Sequence, residues 1–300
     1  MLSPSPGTSG PLLERRDELA VLESLLEDAA AGSGGAVVVT SAAGTGKTAL
    51  LTAARNAAGA HGLLPLHARG RELERDVGFG IATALLGPLV RERGGPPSGL
   101  AMLTSTLFGQ GDGAGPAPSG DELVIGLYWL VDSLCRDQGG GPAPLLLAVD
   151  DLHWTDTGSL RFLEHLTDRL DELPVAVVAA GRPERRLSGL MAQRNARSIA
   201  PAPLSPAAVD ALARRSFPDA EPGFVRACAR VTGGNPFLMV ELLRSVRDAG
   251  IAPTEGAAAA LIPDTVLRST VARLAGLPAP ARRLAEAVAV LGDDAPLPRA

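Results

Sequence analysis

The chain has 300 residues, of which 46% are hydrophobic and 20% charged, a globular composition with room for one large domain or two ordinary ones. Its net charge of −5 lacks the basic excess that neutralises nucleic-acid phosphates, so this stretch by itself is not expected to bind nucleic acid. No apolar run approaches the ~18 residues of a membrane span, which predicts a cytoplasmic protein without a membrane partner.

The first segments along the chain are a tail and a helix. Residues 1–11 are rich in Ser, Pro and Gly, which predicts a disordered N-terminus. Leucines at helical spacing within residues 12–31 predict the first helix, and the glycines of residues 32–35 end it.

A β-branched run, a loop of small residues and an apolar stretch follow one another within residues 37–51. This order predicts a strand, a phosphate-binding loop and a helix, because inward-facing N–H groups and the helix N-terminus favour a polyphosphate. Lys47 is expected to reach the β- and γ-phosphates, and the Thr48 hydroxyl to hold Mg²⁺. The predicted nucleotide contacts are Ala43, Gly44, Thr45, Gly46, Lys47, Thr48 and, on the helix, Leu50.

The lysine count supports this interpretation. Of the 28 basic residues, Lys47 is the single lysine, so a compact ammonium is kept at this position. Ser41 stands where the loop motif has its first glycine, which predicts some cost in geometry or affinity. The alternative is a chance match in a loop rich in glycine and alanine.

Alternating strands and helices follow the loop. A helix over residues 48–58, a strand over 63–68 and a helix over 78–91 indicate a parallel sheet. Residues 94–120, rich in Gly and Pro, predict a flexible surface insertion, and a helix is expected over 121–137. Cys135 and Cys228 lie far apart, which suits two buried thiols in a reducing compartment.

Two carboxylates end the apolar run of residues 145–149. Such a run is typical of a strand buried on both faces, and ligands of parallel sheets bind at its carboxyl end. Asp150 is therefore the predicted Mg²⁺-holding residue, and Asp151 the residue that orients the attacking water. An aspartate is one methylene shorter than glutamate, ~1.5 Å, which predicts slow hydrolysis. The alternative is a solvated turn that caps the next helix.

The remaining sheet strands are predicted over residues 175–180 and 198–202. Arg182 follows the first of them and is expected to sense the γ-phosphate, the alternative being a surface arginine with a carboxylate partner. Beyond Leu204 the pattern is helical only, with helices over 205–216, 222–231, 237–249, 262–274 and 281–291.

Five segments in this order resemble the ATP-binding module of large LuxR-type, MalT-like bacterial transcriptional regulators, within the STAND class of AAA-related P-loop ATPases. The segments are residues 12–19, 41–48, 145–156, 181–184 and 233–237. The resemblance implies an α/β P-loop NTPase three-layer sandwich at 12–203, an α-helical lid at 204–258 and the start of a winged-helix-like module at 259–300.

The resemblance also implies residue roles and a mechanism. Leu13 and Arg15 would lie near the adenine, Arg182 would match the sensor arginine, and Pro236 would pack on the base. ATP would favour an open, self-associating state, ADP a closed one, and DNA would be bound through a C-terminal domain absent from this chain. Glu14 stands where many relatives carry glycine.

The sequence therefore predicts a signalling switch that binds ATP or ADP with Mg²⁺ and is at most a slow ATPase. Two other function classes use the same loop. One is a phosphotransferase with a small-molecule acceptor, for which no acceptor residues stand out; the other is a motor or loader acting on DNA, which the acidic balance opposes.

Overall fold

A computed structural model describes residues 12–97, 100, 106–108, 118–136, 143–260, 267, 271, 274–275 and 277–291. Their five strands form one parallel sheet in the order β2-β3-β4-β1-β5. The strands are β1 (Gly35–Thr40), β2 (Leu64–Arg69), β3 (Leu145–Asp150), β4 (Val175–Gly181) and β5 (Ala196–Ile199). The predicted parallel sheet is confirmed.

Helices cover both faces of the sheet. They are α1 (Arg16–Ala30), α2 (Lys47–Ala58), α3 (Gly80–Glu92), α4 (Gly120–Cys135), α5 (Thr157–Thr167) and the short α6 (Ser188–Met191). One apolar core joins α1 and α2 to the sheet, and the other joins α3, α4 and α5 to its opposite face. The predicted three layers of the P-loop NTPase fold are present.

The central strands are fully buried because both of their faces are covered. Alternate residues of β3 enter opposite cores: Leu145 and Leu147 pack with α3–α5, whereas Leu146 packs with α1 and α2. The register places Thr40 of β1 beside Gly181 of β4, so the carboxyl ends of these strands share one edge of the sheet.

Two predicted boundaries are corrected by the structure, and one predicted helix is confirmed across a proline. The first helix starts at Arg16 because Glu14 has φ 53°, a left-handed conformation that a right-handed helix cannot include. The last strand is residues 196–199, because these pair with β1 and Pro201, without an N–H, cannot extend the ladder. The predicted third helix continues through Pro88, held by buried neighbours such as Leu85 and Leu89.

Only part of the predicted insertion at 94–120 is described. Of that part, Leu100, Leu107 and Phe108 pack against the core formed with α3–α5. The end of the insertion is a capping box: Ser119 accepts the Glu122 N–H, and the Glu122 carboxylate accepts the Ser119 N–H. Helix α4 therefore begins at Gly120.

The chain divides into two units after Ala202. The described helices of the second unit are α7 (Pro206–Ser216), α8 (Pro222–Thr232), α9 (Pro236–Asp248), α10 (Glu255–Ala260) and α11 (Ala279–Leu291). Ser205 and Asn235 cap α7 and α9 through their side chains, each with proline at the first turn. The helix predicted over 262–274 lies mostly outside the described residues, and the winged-helix-like module stays a prediction.

Both cysteines are free and buried, as predicted, and burial raises the pKa of each thiol to about 12. In the part of the chain that the structure describes, none of the helices has the length and apolarity needed to span a bilayer.

Candidate nucleotide-binding site

The loop between β1 and α2 is closed by hydrogen bonds of its own side chains. The hydroxyls of Ser41 and Thr45 bond to each other, and the Thr45 hydroxyl donates to the Ala42 carbonyl at 3.0 Å. Gly44 and Gly46 have φ of 79° and 100°, so glycine is needed at both. Ser41 is not among the described residues with positive φ, so the motif's first glycine is not required here for its backbone freedom.

Lys47 begins α2 and folds back over this loop. Its side chain is largely buried, and Nζ donates to the carbonyls of Ser41 and Ala42 at 2.9 and 2.7 Å. Burial lowers the pKa of the ammonium, and the Arg182 guanidinium lowers it further, while the Asp151 and Asp150 carboxylates act in the opposite direction. The ammonium thus lies where phosphate oxygens could replace loop carbonyls as its partners.

Thr48 and Asp150 meet across the site although 102 positions separate them. The Thr48 hydroxyl donates to Asp150 Oδ2 at 2.9 Å, and the other carboxylate oxygen accepts the Asp151 N–H at 2.9 Å. Asp150 is 3% exposed at the carboxyl end of β3. A hydroxyl and a carboxylate are oxygen ligands of the kind Mg²⁺ takes beside substrate phosphates, so the donor set fits the predicted metal.

Asp151 has an ion-pair partner that the sequence did not identify. Its Oδ2 accepts a hydrogen bond from Arg69 Nε at 2.8 Å and lies 2.7 Å from Nη2 of the same guanidinium. The backbone of Asp151 is left-handed, with φ 48° and ψ 43°, and a Cβ on Gly70 would collide with its carbonyl oxygen. Arg69 ends β2 in register with Asp150, so a charged residue at that strand end was the available signal.

Arg182 follows β4 with an exposed side chain. Its guanidinium is one cause of the lowered pKa of the Lys47 ammonium. Its backbone N–H donates to His153 Nδ1 at 3.4 Å, and burial lowers the pKa of that imidazole, which keeps the ring neutral. The roles of Arg182 and Asp151 in hydrolysis stay predictions.

The remaining predicted contacts lie in different places. Arg15 is 5% exposed and donates to the carbonyls of Thr45 and Ala202, while Leu13 is half-buried just before α1. Leu50 is fully buried in the core that joins α1 and α2 to the sheet. Pro236 begins α9 in the second unit. Nucleotide contact by these four residues stays a prediction.

A glycine-containing loop between a buried strand and a helix, with Lys47 at the helix start and Thr48 bonded to a strand-end aspartate, defines a P-loop NTPase. The chain belongs to the AAA ATPase domain family, whose model matches residues 11–178. Membership of this family implies nucleotide binding, in agreement with the prediction.

Several known proteins are similar to the chain, among them one sequence relative and two proteins of solved structure. It is 26% identical over 322 residues to an uncharacterized protein of Rhizobium meliloti (strain 1021), covering 96% of this chain but only 30% of that relative. The structure of the present chain is similar to that of Cdc6p from Pyrobaculum aerophilum, with a TM-score of 0.57 and 19% identity. The match covers 91% of this chain and 73% of the Cdc6p chain. It is also similar to the ORC2 protein of Aeropyrum pernix in ADPNP-ADP complexes, with a TM-score of 0.51 and 15% identity. That match covers 86% of this chain and 70% of the ORC2 chain. The structural likenesses show the fold.

Proposed function

We propose that the chain is a signalling switch that binds Mg²⁺·ATP, hydrolyses it slowly to ADP, and belongs to a LuxR-type transcriptional regulator. In this proposal the ATP form is open and self-associating, and the ADP form is closed. The observation that carries nucleotide binding is the 2.9 Å hydrogen bond from Thr48 to Asp150, beside a buried Lys47 ammonium.

The loop supplies the groups that a triphosphate needs. Main-chain N–H groups and the start of α2 favour anions, and the Lys47 ammonium adds a full positive charge. When bound, Mg²⁺ would supply positive charge that offsets the charge of the phosphates. Thr48 and Asp150 would hold it. The adenine nucleotides of the Aeropyrum pernix ORC2 complexes, a protein with this fold, support the same ligand class.

Slow hydrolysis is proposed because of where the Asp151 carboxylate is held. A residue that orients the attacking water needs a free carboxylate oxygen within hydrogen-bonding reach of that water. Arg69 holds Oδ2 of Asp151 through Nε and Nη2 and so fixes the orientation of the carboxylate. Oδ1 is then the oxygen that would have to reach the water from this fixed orientation, which suits a slow switch better than a fast motor.

The link to transcription depends on the resemblance of five motifs, including Asp150–Asp156 and Gly233–Phe237, to LuxR-type regulators. DNA binding is proposed only for a C-terminal domain outside these 300 residues. The chain spans about a third of its Rhizobium meliloti relative, so the activity of a whole protein of this kind stays a proposal.

The test combines three measurements on the purified chain. Binding of a fluorescent ATP analogue with and without Mg²⁺ identifies the ligand. Phosphate release measures the rate of hydrolysis. Light scattering during gel filtration in ATP or ADP measures the assembly state. We expect Mg²⁺-dependent binding, turnover below about 1 per second, the low end of enzyme rates, and larger particles in ATP. Turnover of tens per second with no change in assembly would overturn the switch.

Two further assays on the purified chain distinguish the switch from the other two function classes. Transfer of the γ-phosphate to a small molecule, followed with radiolabelled ATP, would favour a phosphotransferase. Salt-dependent binding of this chain to DNA would favour a motor or loader.

A further inference from the structure

The guanidinium of Arg15 joins two segments that are remote in sequence. Nη2 donates to the Thr45 carbonyl in the phosphate-binding loop at 3.2 Å and to the Ala202 carbonyl at 2.6 Å. Ala202 is the last residue of the first unit, and residues 200–202, which follow β5, are here named the exit segment. One buried side chain thus spans from the loop to the exit segment.

Three of the five N–H donors of Arg15 bond to main-chain oxygens. Nη2 carries two N–H groups, and both have carbonyl partners. Nη1 donates to the Glu14 carbonyl at 2.9 Å and lies 3.8 Å from a carboxylate oxygen of Glu18. This arrangement leaves few donors for an adenine base, so the geometry favours a role different from the base contact that the resemblance implies.

The bond to Thr45 has a consequence for the loop, because a peptide unit is rigid and planar. The Thr45 carbonyl and the Gly46 N–H belong to one trans peptide unit and point in opposite directions. Holding the carbonyl toward Arg15 therefore fixes the Gly46 N–H on the other side. Gly46, with φ 100°, directly precedes Lys47, so this N–H lies at the base of the loop.

A lysine could not replace this arginine. The ammonium is a single point of charge, whereas the guanidinium is a planar fork that donates in several fixed directions at once. Glu14 adopts a left-handed backbone, φ 53°, directly before Arg15, so the chain accepts an unfavourable conformation where the side chain enters the protein. Both features indicate that the position of this fork matters.

We propose that Arg15 is a positioning residue that couples the phosphate-binding loop to the exit segment. Phosphate bound by the Gly46 N–H polarises the Thr45 peptide unit, and Arg15 carries the change to the Ala202 carbonyl. This inference depends on the proposed nucleotide binding and specifies how occupancy of the loop reaches the end of the first unit.

The experiment is hydrogen–deuterium exchange on the full chain with and without saturating Mg²⁺·ATP, following peptides that cover residues 41–50 and 196–204. The variants are Arg15→Gln and Arg15→Lys. The matched control is Arg16→Gln, which removes an exposed neighbouring arginine. Thermal unfolding checks that each variant is folded.

In the wild-type chain and in Arg16→Gln, ATP should slow exchange in both peptides. In Arg15→Gln and Arg15→Lys, ATP should bind about ten-fold more weakly, the effect of one charged hydrogen bond, and still protect 41–50 at saturation. The response of 196–204 should be lost in both variants.

Two results would overturn the coupling: a nucleotide response at 196–204 that survives in Arg15→Gln, or a wild-type chain that protects 41–50 but not 196–204. If Arg15→Gln does not fold, the comparison of Arg15→Lys with the wild-type chain still tests the coupling. Failure of the proposed function looks different, since 41–50 would then show no protection by ATP in the wild-type chain.

Discussion

The two halves of the candidate site differ in how far they are assembled. In the binding half, Lys47 and Thr48 are already bonded to the loop carbonyls and to Asp150. In the hydrolysis half, Asp151 is paired with Arg69 and Arg182 is exposed. The difference indicates a protein organised first to hold a nucleotide and only conditionally to cleave it, because groups already in position lose little entropy when the ligand binds.

The largest effect should come from the binding half. Lys47→Ala removes the single lysine of the chain and should weaken ATP binding by about 100-fold, the upper effect of a hydrogen bond to a charged group. Lys47→Arg keeps the charge but not the compact shape, so its ATP affinity should lie between those of Lys47→Ala and the wild-type chain. Titration with a fluorescent ATP analogue measures both. Retained affinity in Lys47→Ala would refute the assigned loop.

A smaller but more selective effect is expected in the hydrolysis half. Asp151→Asn should leave ATP affinity within about three-fold and lower phosphate release by about 100-fold, the range for a group that assists proton transfer. The control is Asp76→Asn, an exposed carboxylate between β2 and α3. Equal losses of binding and turnover would show that Asp151 is part of the binding half instead.

Thr48→Ala tests whether the metal belongs to the binding half. Loss of the hydroxyl should weaken ATP binding about ten-fold in Mg²⁺ and leave binding in EDTA unchanged, because the hydroxyl acts through the metal. Thr52→Ala, one turn later on the exposed side of α2, is the matched control. A loss of the same size in EDTA would point to a direct structural role for the Thr48–Asp150 hydrogen bond.

The smallest effect should come from Arg69→Ala. An exposed ion pair contributes about 0.2–1 kcal/mol, so releasing Asp151 should raise phosphate release by up to about five-fold. The control is Arg71→Ala, which removes a similarly exposed ion pair with Glu74 nearby. A fall in turnover would mean that Arg69 assists hydrolysis and does not restrain it.

Local patterns predicted most of the fold because they reflect burial and backbone chemistry directly. The apolar run Leu145–Val149 marks a strand covered on both faces, and Asn235 before Pro236 marks a helix start. The predicted ends of helices and strands were less accurate where the conformation of a single residue sets them. Helix α1 begins only at Arg16 because Glu14 has a left-handed backbone. A glutamate gives no sign of that conformation in the sequence, whereas a glycine at the same position would.

By itself, the sequence determined the loop, its lysine and threonine, and the two aspartates at the end of β3 and just after it, because residue type and spacing within short segments fix these features. Only the tertiary structure decided that β4 lies between β1 and β3, that Arg69 pairs with Asp151, and that Arg15 reaches Ala202. The last two contacts join residues 82 and 187 positions apart. They depend on strand order and on the path of the chain around the sheet, which no local pattern encodes.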